Sequence, residues 1–433
     1  MWSSARAGAT APRPGRREDA RYDPAALPLL NEAGRLTRAH LRILLFAWAA
    51  WCFGFYSLML LTFVLEPVRR DFGLSELRLA WLTGIAIGAT GVGGFVFGWL
   101  ADRAGRRRSL WIAIATFGAG NALAAVAPGF ASLVAARAIA GLGIGGTWGA
   151  GQALIGETFP PARRGRFGAV AQTGAPIGLG LATIAGTFVA PVLGWRLVFA
   201  LSALPAVALA LLRAVPESDL WRAPGRGPIL RALARRDVLG TFGRCFVLTI
   251  LNMSNYWFAV SWLPRYLQVE RGLSLARSGW STLAFVAGSL SGYLLFGVLS
   301  DRWGRRSAFT LFCGLMAGGL VMFTLFWQAI AAHPGLVLLY MFVAGVGTGT
   351  WSSYGPMMSE LFPTTVRGTA MSVIMNATRG VQFVAPVVIA AVAPRWGMAG
   401  GIALAAGFAV AAGLWIWTLP ETRGRHLAAA NPA

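Results

Sequence analysis

The sequence predicts an all-α membrane protein, with twelve transmembrane helices arranged as two pseudo-symmetric six-helix bundles. Three observations predict it: long uncharged apolar runs, a basic stretch midway along the chain, and short motifs that recur at a nearly constant offset. Of the 433 residues, 56% are hydrophobic and 12% charged, against a charged share of about 25% in ordinary soluble domains. Stretches such as 41–65, 81–100, 167–193 and 307–331 are rich in glycine and nearly free of charge. Each reaches the roughly 20 apolar residues that cross a ~30 Å hydrocarbon layer at 1.5 Å per residue. Backbone groups in that layer must be bonded within their own segment, which calls for helices. The ~10-residue alternating segments of a membrane β-barrel are absent.

The spans in order are 41–66, 77–101, 109–127, 130–156, 166–191 and 195–214, then 240–264, 276–299, 307–331, 335–359, 367–392 and 397–419. The longest break, 215–239, carries Arg222, Arg226, Arg231, Arg235 and Arg236. This basic linker divides an N-terminal bundle, 40–214, from a C-terminal bundle, 240–419, with polar tails at 1–39 and 420–433. The bundles repeat each other. Gly98-Trp-Leu-Ala-Asp102-Arg103-Ala-Gly105-Arg106-Arg107 after span 2 recurs as Gly297-Val-Leu-Ser-Asp301-Arg302-Trp-Gly304-Arg305-Arg306 after span 8, at an offset of 199. Gly141-x-Gly143-x-Gly145 recurs as Gly345-x-Gly347-x-Gly349 at 204, Glu157-Thr-Phe-Pro160 as Glu360-Leu-Phe-Pro363 at 203, and Pro216-Glu217 as Pro420-Glu421 at 204. Four matches at so constant an offset point to two halves built on one unit.

The net charge of +22 is carried entirely by arginine. A soluble chain this basic would invite a nucleic-acid reading, but here the arginines cluster between apolar spans. With the N-terminus inside, the inner segments hold 28 and the outer loops 8. The positive-inside rule then places both termini in the cytoplasm of a multi-pass plasma (inner) membrane protein. Residues 1–38 have no apolar core, so they read as a disordered tail rather than a cleavable signal. Cys52, Cys245 and Cys313 lack metal-ligand spacing and read as small apolar packing residues.

Residues 40–425, which carry both repeats, resemble the major facilitator superfamily, whose signature is the duplicated G-x-L-[AS]-D-R-x-G-R-R loop. The Pro-Glu pairs and Arg137-x-x-x-Gly141-x-Gly143-x-Gly145 are similar to the sugar-porter-like and metabolite–proton symporter branch. Asn376-x-x-Arg379 with Pro386 is similar to the aromatic-acid and sialic-acid symporters within it. The resemblance implies a carrier working by alternating access, with its solute site near the midplane between the halves. It also implies that the duplicated loops gate the inner mouth. Gly98 and Gly297 would allow close helix approach, and Gly105 and Gly304 would make tight turns. Asp102 would receive N–H groups from a helix start in the opposite half, and Arg103 and Arg106 would reach Glu157. Asp301, Arg302, Arg305 and Glu360 would repeat the set.

Two arginines lie within spans. Arg137 sits about seven residues into span 4, and Arg379 about thirteen into span 11, a depth of roughly 20 Å. A central arginine costs at least ~2.5–3.5 kcal/mol on insertion scales, so each requires a partner or a function. No acid lies at similar depth in any span. A guanidinium facing a cavity is an anion site whose fork suits a carboxylate; alternatively, backbone carbonyls satisfy it, above all in glycine-rich span 4. Tyr56, Gln152, Asn255, Tyr256, Tyr354, Asn376 and Gln382 share this depth and are expected to line the cavity or to bond between helices. The symporters resembled place acids in span 1 in a W-x-x-D-x-x-D pattern. This chain reads Trp51-Cys-Phe-Gly54-Phe-Tyr-Ser57, so proton coupling through a central carboxylate is not expected.

These residues support a monomeric carrier of a small organic anion in the bilayer, with Arg379 on the acid group and a proton or counter-anion as co-substrate. An exporter of amphiphilic compounds and a transport-inactive sensor or scaffold stay open as alternatives. No enzyme is expected, since no nucleophile–base pair, metal cluster, cofactor motif or phosphate-cradling loop is present. The gating reading makes a prediction at Asp102. Asp102→Asn is expected to lower uptake while membrane insertion stays intact; uptake at the parent rate in a well-inserted variant would leave the loop as a topology signal only.

Overall fold

The computed structural model describes residues 36–159, 164–206, 215–218, 236–362 and 367–422. The expected tails before residue 36 and after 422, and the linker over 219–235, lie outside them. All regular structure among the described residues is helical. The principal helices are α1 (Arg38–Phe63), α2 (Glu76–Ala104), α3 (Arg106–Ala125), α4 (Phe130–Thr158), α5 (Gly174–Ile184), α6 (Trp195–Leu201), α7 (Arg236–Val260), α8 (Leu275–Trp303), α9 (Arg305–Thr324), α10 (Pro334–Gly347), α11 (Arg367–Val381) and α12 (Val384–Trp415). Eight described segments are long and apolar enough to cross a membrane. One of these, Val373–Thr418, turns back at Gly397, where φ is +67°, and so makes two passages. The Glu270 carboxylate accepts the backbone N–H groups of Met398 and Ala399 there, capping the returning helix. Arg106–Ala125, Arg236–Val260 and the shorter apolar helix Trp195–Ala206 occupy the other expected passages.

The repeat is visible in how the helices begin. Ser75 accepts the N–H of Arg78 at the start of α2, and Ser274 accepts that of Arg277 at the start of α8. Such caps satisfy donors that have no partner within the helix. Gly105 and Gly304 end α2 and α8 at φ +102° and +92°, which side chains with a Cβ rarely adopt.

Within each half the glycine triplet sets the helix spacing. A Cβ on Gly141 would stand 2.3 Å from the Ala86 carbonyl oxygen of α2, on Gly143 2.4 Å from the Phe117 nitrogen of α3, and on Gly145 2.1 Å from the Thr90 oxygen of α2. The second half repeats this: Gly345 meets the Phe285 oxygen of α8 at 2.1 Å, and Gly347 meets the Met316 nitrogen of α9 at 2.4 Å. Apolar association gives helices little drive to pair in lipid, so backbone-to-backbone packing of this kind holds each bundle together. The seam between halves is built the same way. A Cβ on Gly91 of α2 would lie 2.6 Å from Cα of Gly380 in α11, and one on Gly84 2.6 Å from the Phe383 oxygen. Gly180 of α5 faces Val286 of α8 across the other side.

Four helices break at one kind of place. A proline has no N–H and clashes with the carbonyl four residues earlier. Pro176, Pro264, Pro356 and Pro386 therefore cannot supply the usual donor to the carbonyls of Gln172, Val260, Ser352 and Gln382, and the last takes the Ala385 N–H at 3.0 Å instead. The helix Arg164–Gln172 ends at the first, α7 at the second, a 3₁₀ segment Thr348–Ser353 covers the third, and α11 stops just before the fourth.

Gly297 corrects one expectation: a Cβ there would meet nothing within 4 Å, so close helix approach is not its role. Gly145→Ala is expected to force α2 from α4 and cost about 1–3 kcal/mol, seen as a lower melting temperature in detergent. Gly297→Ala should melt like the parent, and equal melting of both variants would contradict the packing argument.

Candidate functional site

A narrow cavity lies between the halves. Trp51 and Phe55 of α1, Gln172, and Ala175 of α5 form its N-terminal wall. Met253, Tyr256 and Trp257 of α7, Tyr293 of α8, Trp351, and Met375 and Arg379 of α11 form the other. Gln172 and Trp351 sit at two of the proline-induced breaks, so the cavity forms where the helices are interrupted.

Arg379 is the cationic group among the lining residues. Its side chain is 5% exposed, with Cζ 5.2 Å from the centre of the Trp51 ring across the seam. Nη1 has no hydrogen-bond partner, and no carboxylate among the described residues lies within ion-pair distance. The indole Nε1 of Trp51 is likewise buried without a partner. Two unmet donors and a positive charge thus meet in one cavity. The walls around them are aromatic. Tyr256 packs edge-on against Trp257 at 5.7 Å and Trp351 at 6.2 Å, and Phe55 closes over Tyr256 at 6.3 Å from the other half. Gln172 is held by the Trp148 indole, which donates to its Oε1 at 2.8 Å. Such a space offers a positive charge that could pair with an anionic group and rings that could pack on a flat apolar body.

Of the residues expected from sequence, Arg379 and Tyr256 line this cavity; the others stand behind it. Arg137 is fully buried, donating to the Ser57 carbonyl at 3.0 Å and to Asn121 Oδ1 at 3.3 Å, with Phe199 5.5 Å from its Cζ. The Ser57 carbonyl and the Asn121 side chain thus take two of the Arg137 N–H groups, while its Nε has no hydrogen-bond partner, so the backbone alternative holds in part. Arg137 ties α1, α3 and α4 within one half. Asn376 is buried against Gly94 of α2. Gln382 donates to the Thr378 carbonyl at 3.3 Å, and Gln152 to that of Gly168 at 3.3 Å. Tyr56 is buried beneath Gly178, Asn255 is buried in α7, and Tyr354 stacks on Trp351 at 5.3 Å. Gln172, Tyr293, Met253 and Met375 were not singled out from sequence. Only Gln172 carried a signal, as a polar residue four positions before a proline within an apolar run.

The duplicated loops form one charge arrangement twice. Arg106 donates to Glu157 Oε1 through Nε at 3.1 Å and Nη2 at 3.0 Å, and Arg305 Nη2 lies 3.5 Å from Glu360 Oε1. The helix starts beyond Gly105 and Gly304 each receive a carboxylate, supplied by the Pro-Glu pairs. Glu217 accepts the Arg107 N–H at 3.0 Å; Glu421 accepts those of Arg305 at 2.9 Å and Arg306 at 3.1 Å. The Pro-Glu pairs therefore cap α3 and α9 within their own halves, adding negative charge where the helix dipole favours it. A Cβ on Gly105 would come 2.4 Å from Glu217 Oε2, a second reason for glycine there. Arg103 does not reach Glu157; its guanidinium lies 4.7 Å from the Trp99 ring. Arg302 is exposed. The side chains of Asp102 and Asp301 lie outside the described residues.

Comparison with known proteins agrees with this architecture. The sequence matches the Major Facilitator Superfamily over residues 46–326 and 245–431. A Haemophilus influenzae protein assigned to metabolite transport is 31% identical over 86% of this chain and 94% of its own length. The cis,cis-muconate transport protein of Acinetobacter baylyi is 27% identical over 80% and 86%, and the 3-(3-hydroxy-phenyl)propionate transporter of Escherichia coli 29% identical over 83% and 88%. Among solved structures, a D-xylose–proton symporter superposes with a TM-score of 0.72 at 23% identity, covering 89% of this chain and 99% of that one. From the duplicated loops, the two glycine-packed bundles, the cavity between them and these matches, it follows that the chain belongs to the major facilitator superfamily and is a membrane transporter.

Proposed function

We propose that this transporter carries a small organic anion, a carboxylate on a planar unsaturated or aromatic body, with Arg379 binding the acid group. The observation that carries the reading is the unmet Nη1 of Arg379 inside an aromatic cavity free of acids among the described residues. Low dielectric strengthens the attraction for an anion there. Relatives named for muconate and for a hydroxyphenyl propionate point the same way. The bundles 40–214 and 240–419 would rock about the glycine-lined seam, exposing the cavity to each side in turn. In this reading the protein is a monomer of the plasma membrane with both termini cytoplasmic. Tyr256 serves as wall, and Arg137, Asn376, Gln382, Gln152, Tyr56, Asn255 and Tyr354 brace the lining from behind. Aromatic walls would also suit an exporter of amphiphiles, but the guanidinium selects against cationic ones.

Purified protein is expected to melt at a higher temperature with cis,cis-muconate or 3-(3-hydroxyphenyl)propionate present. A ligand at 100 times its Kd adds about 2.7 kcal/mol. Arg379→Ala should abolish the shift and Arg379→Lys should retain part of it, since an ammonium keeps the charge but loses the fork. Full stabilisation of the Arg379→Ala variant by the same acids would refute the assignment.

Charge also bears on coupling. The empty cavity holds a bare guanidinium, and the loaded one a neutral pair. Closing the empty carrier therefore costs more than closing the loaded carrier, because the guanidinium has no counter-charge to replace its water. Counterflow of labelled acid in proteoliposomes is expected to run several-fold faster than net efflux at equal concentration. Equal rates, with net flux following an imposed pH gradient, would assign the coupling to a proton instead.

A further inference from the structure

The rim opposite the duplicated loops holds a charge cluster that no repeated motif encodes. Arg265 ends the turn Leu263–Arg265 that follows α7, in the C-terminal half. Its Nη1 donates to Glu66 and its Nη2 to Glu76 Oε1 at 2.5 Å, both in the N-terminal half. Glu66 belongs to the short helix Leu65–Phe72, and Glu76 opens α2. Arg69 supplies the second positive charge, with Nη1 3.3 Å from Glu66 and Nε 3.6 Å from Glu76, and Arg70 Nε lies 3.4 Å from Glu66. Partial burial pushes the Glu66 carboxyl up, but the Arg265 hydrogen bond and the charges of Arg265, Arg69 and Arg70 outweigh it and hold the group below the usual carboxylate range.

Three features separate this cluster from ordinary surface pairs. The Arg265 side chain is 6% exposed, whereas Arg70 is 77% exposed. One guanidinium engages two carboxylates from two separate elements. Among the ion pairs of the described residues, these are the ones that join the two halves; Arg106–Glu157 and Arg305–Glu360 each lie within one half. Arg265 is also eight residues beyond Trp257 of the cavity wall, past the break at Ser261 and Trp262.

We infer that Arg265, clamped by Glu66 and Glu76, is an ionic latch that holds the two halves together on this rim and must release before the cavity opens there. The latch adds free energy to the closed rim alone, so its removal shifts the population toward the state open on this side. The cluster borders water, where separated charges are resolvated, so release stays within reach of each cycle.

The test reads distance and is independent of the transported solute. Val126 and Leu325 are exposed residues at the ends of α3 and α9, one in each half on this rim. Spin labels on Val126→Cys and Leu325→Cys, in purified protein reconstituted in nanodiscs, report the gap between halves. The native cysteines are buried, and their background is measured in the chain without added cysteines. Arg265→Gln is expected to raise the ratio of long to short distances about tenfold, the equivalent of about 1.4 kcal/mol. Arg265→Lys should shift the ratio less than Arg265→Gln, since it keeps the charge and loses the fork, and the double variant Glu66→Gln with Glu76→Gln should reproduce the shift even if Arg265→Gln fails to fold. An unchanged distance distribution in the folded neutral variants would overturn the latch.

Discussion

A guanidinium in hydrocarbon must find hydrogen bonds or water, and this requirement organises the transporter's interior. The two arginines within the spans, Arg137 and Arg379, meet it in different ways. Arg137 donates to a backbone carbonyl of α1 and to Asn121 of α3, so its charge is spent on bracing one half. Ser57 contributes twice, its carbonyl to Arg137 and its hydroxyl to Asn121 at 2.7 Å. Arg379 has an aromatic face across the seam and an unmet Nη1. A cation–π contact supplies only part of what water would. The remainder falls to whatever fills the cavity, and an acid group supplies both acceptors and charge.

The same low-dielectric constraint explains why each half is stiff while the cavity level is adaptable. Glycine triplets place backbone against backbone in both bundles, leaving little room for helices to slide within a half. Proline breaks interrupt helices of both halves next to the cavity lining. There the shorter helical segments tolerate rearrangement, since irregular backbone at membrane depth is stable where it borders a cavity. Rigid bundles joined along Gly84, Gly88 and Gly91 of α2 and the Gly380–Phe383 turn can rock without unpacking.

Much of this was legible in the sequence because lipid enforces simple rules. Twenty-residue apolar runs specify helices, and repeated motifs at an offset near 200 specify two halves. The pairing of Arg106 with Glu157 followed from both lying at the same end of adjacent helices. Arg379 stood out as a costly charge without a counter-charge. What the sequence did not disclose were contacts set by rotation about a helix axis. Asn376 and Gln382 flank Arg379 within one turn, yet Asn376 faces Gly94 and Gln382 bonds its own helix. Tyr293 reads as one more residue of an apolar span until α7 and α8 are seen to line the same cavity. The capping of α3 by Glu217, 110 positions beyond Arg107, required the halves to fold before the pair existed.

Charge is distributed so that each part of the cycle is governed by groups of suitable cost. At the rim with the duplicated loops, Glu217 and Glu421 each bind a helix start of their own half, which fixes bundle ends without joining bundles. At the opposite rim Arg265 joins them, in a partly hydrated cluster whose rupture is moderate because water replaces the lost partners. A joining ion pair at the cavity level would have no such replacement and would hold the halves shut. In the proposed reading the cavity instead keeps one charge of a pair and leaves the other to the solute. Recognition and closure are then one electrostatic event: an anion that satisfies Arg379 would also remove the desolvation penalty that opposes closing around it.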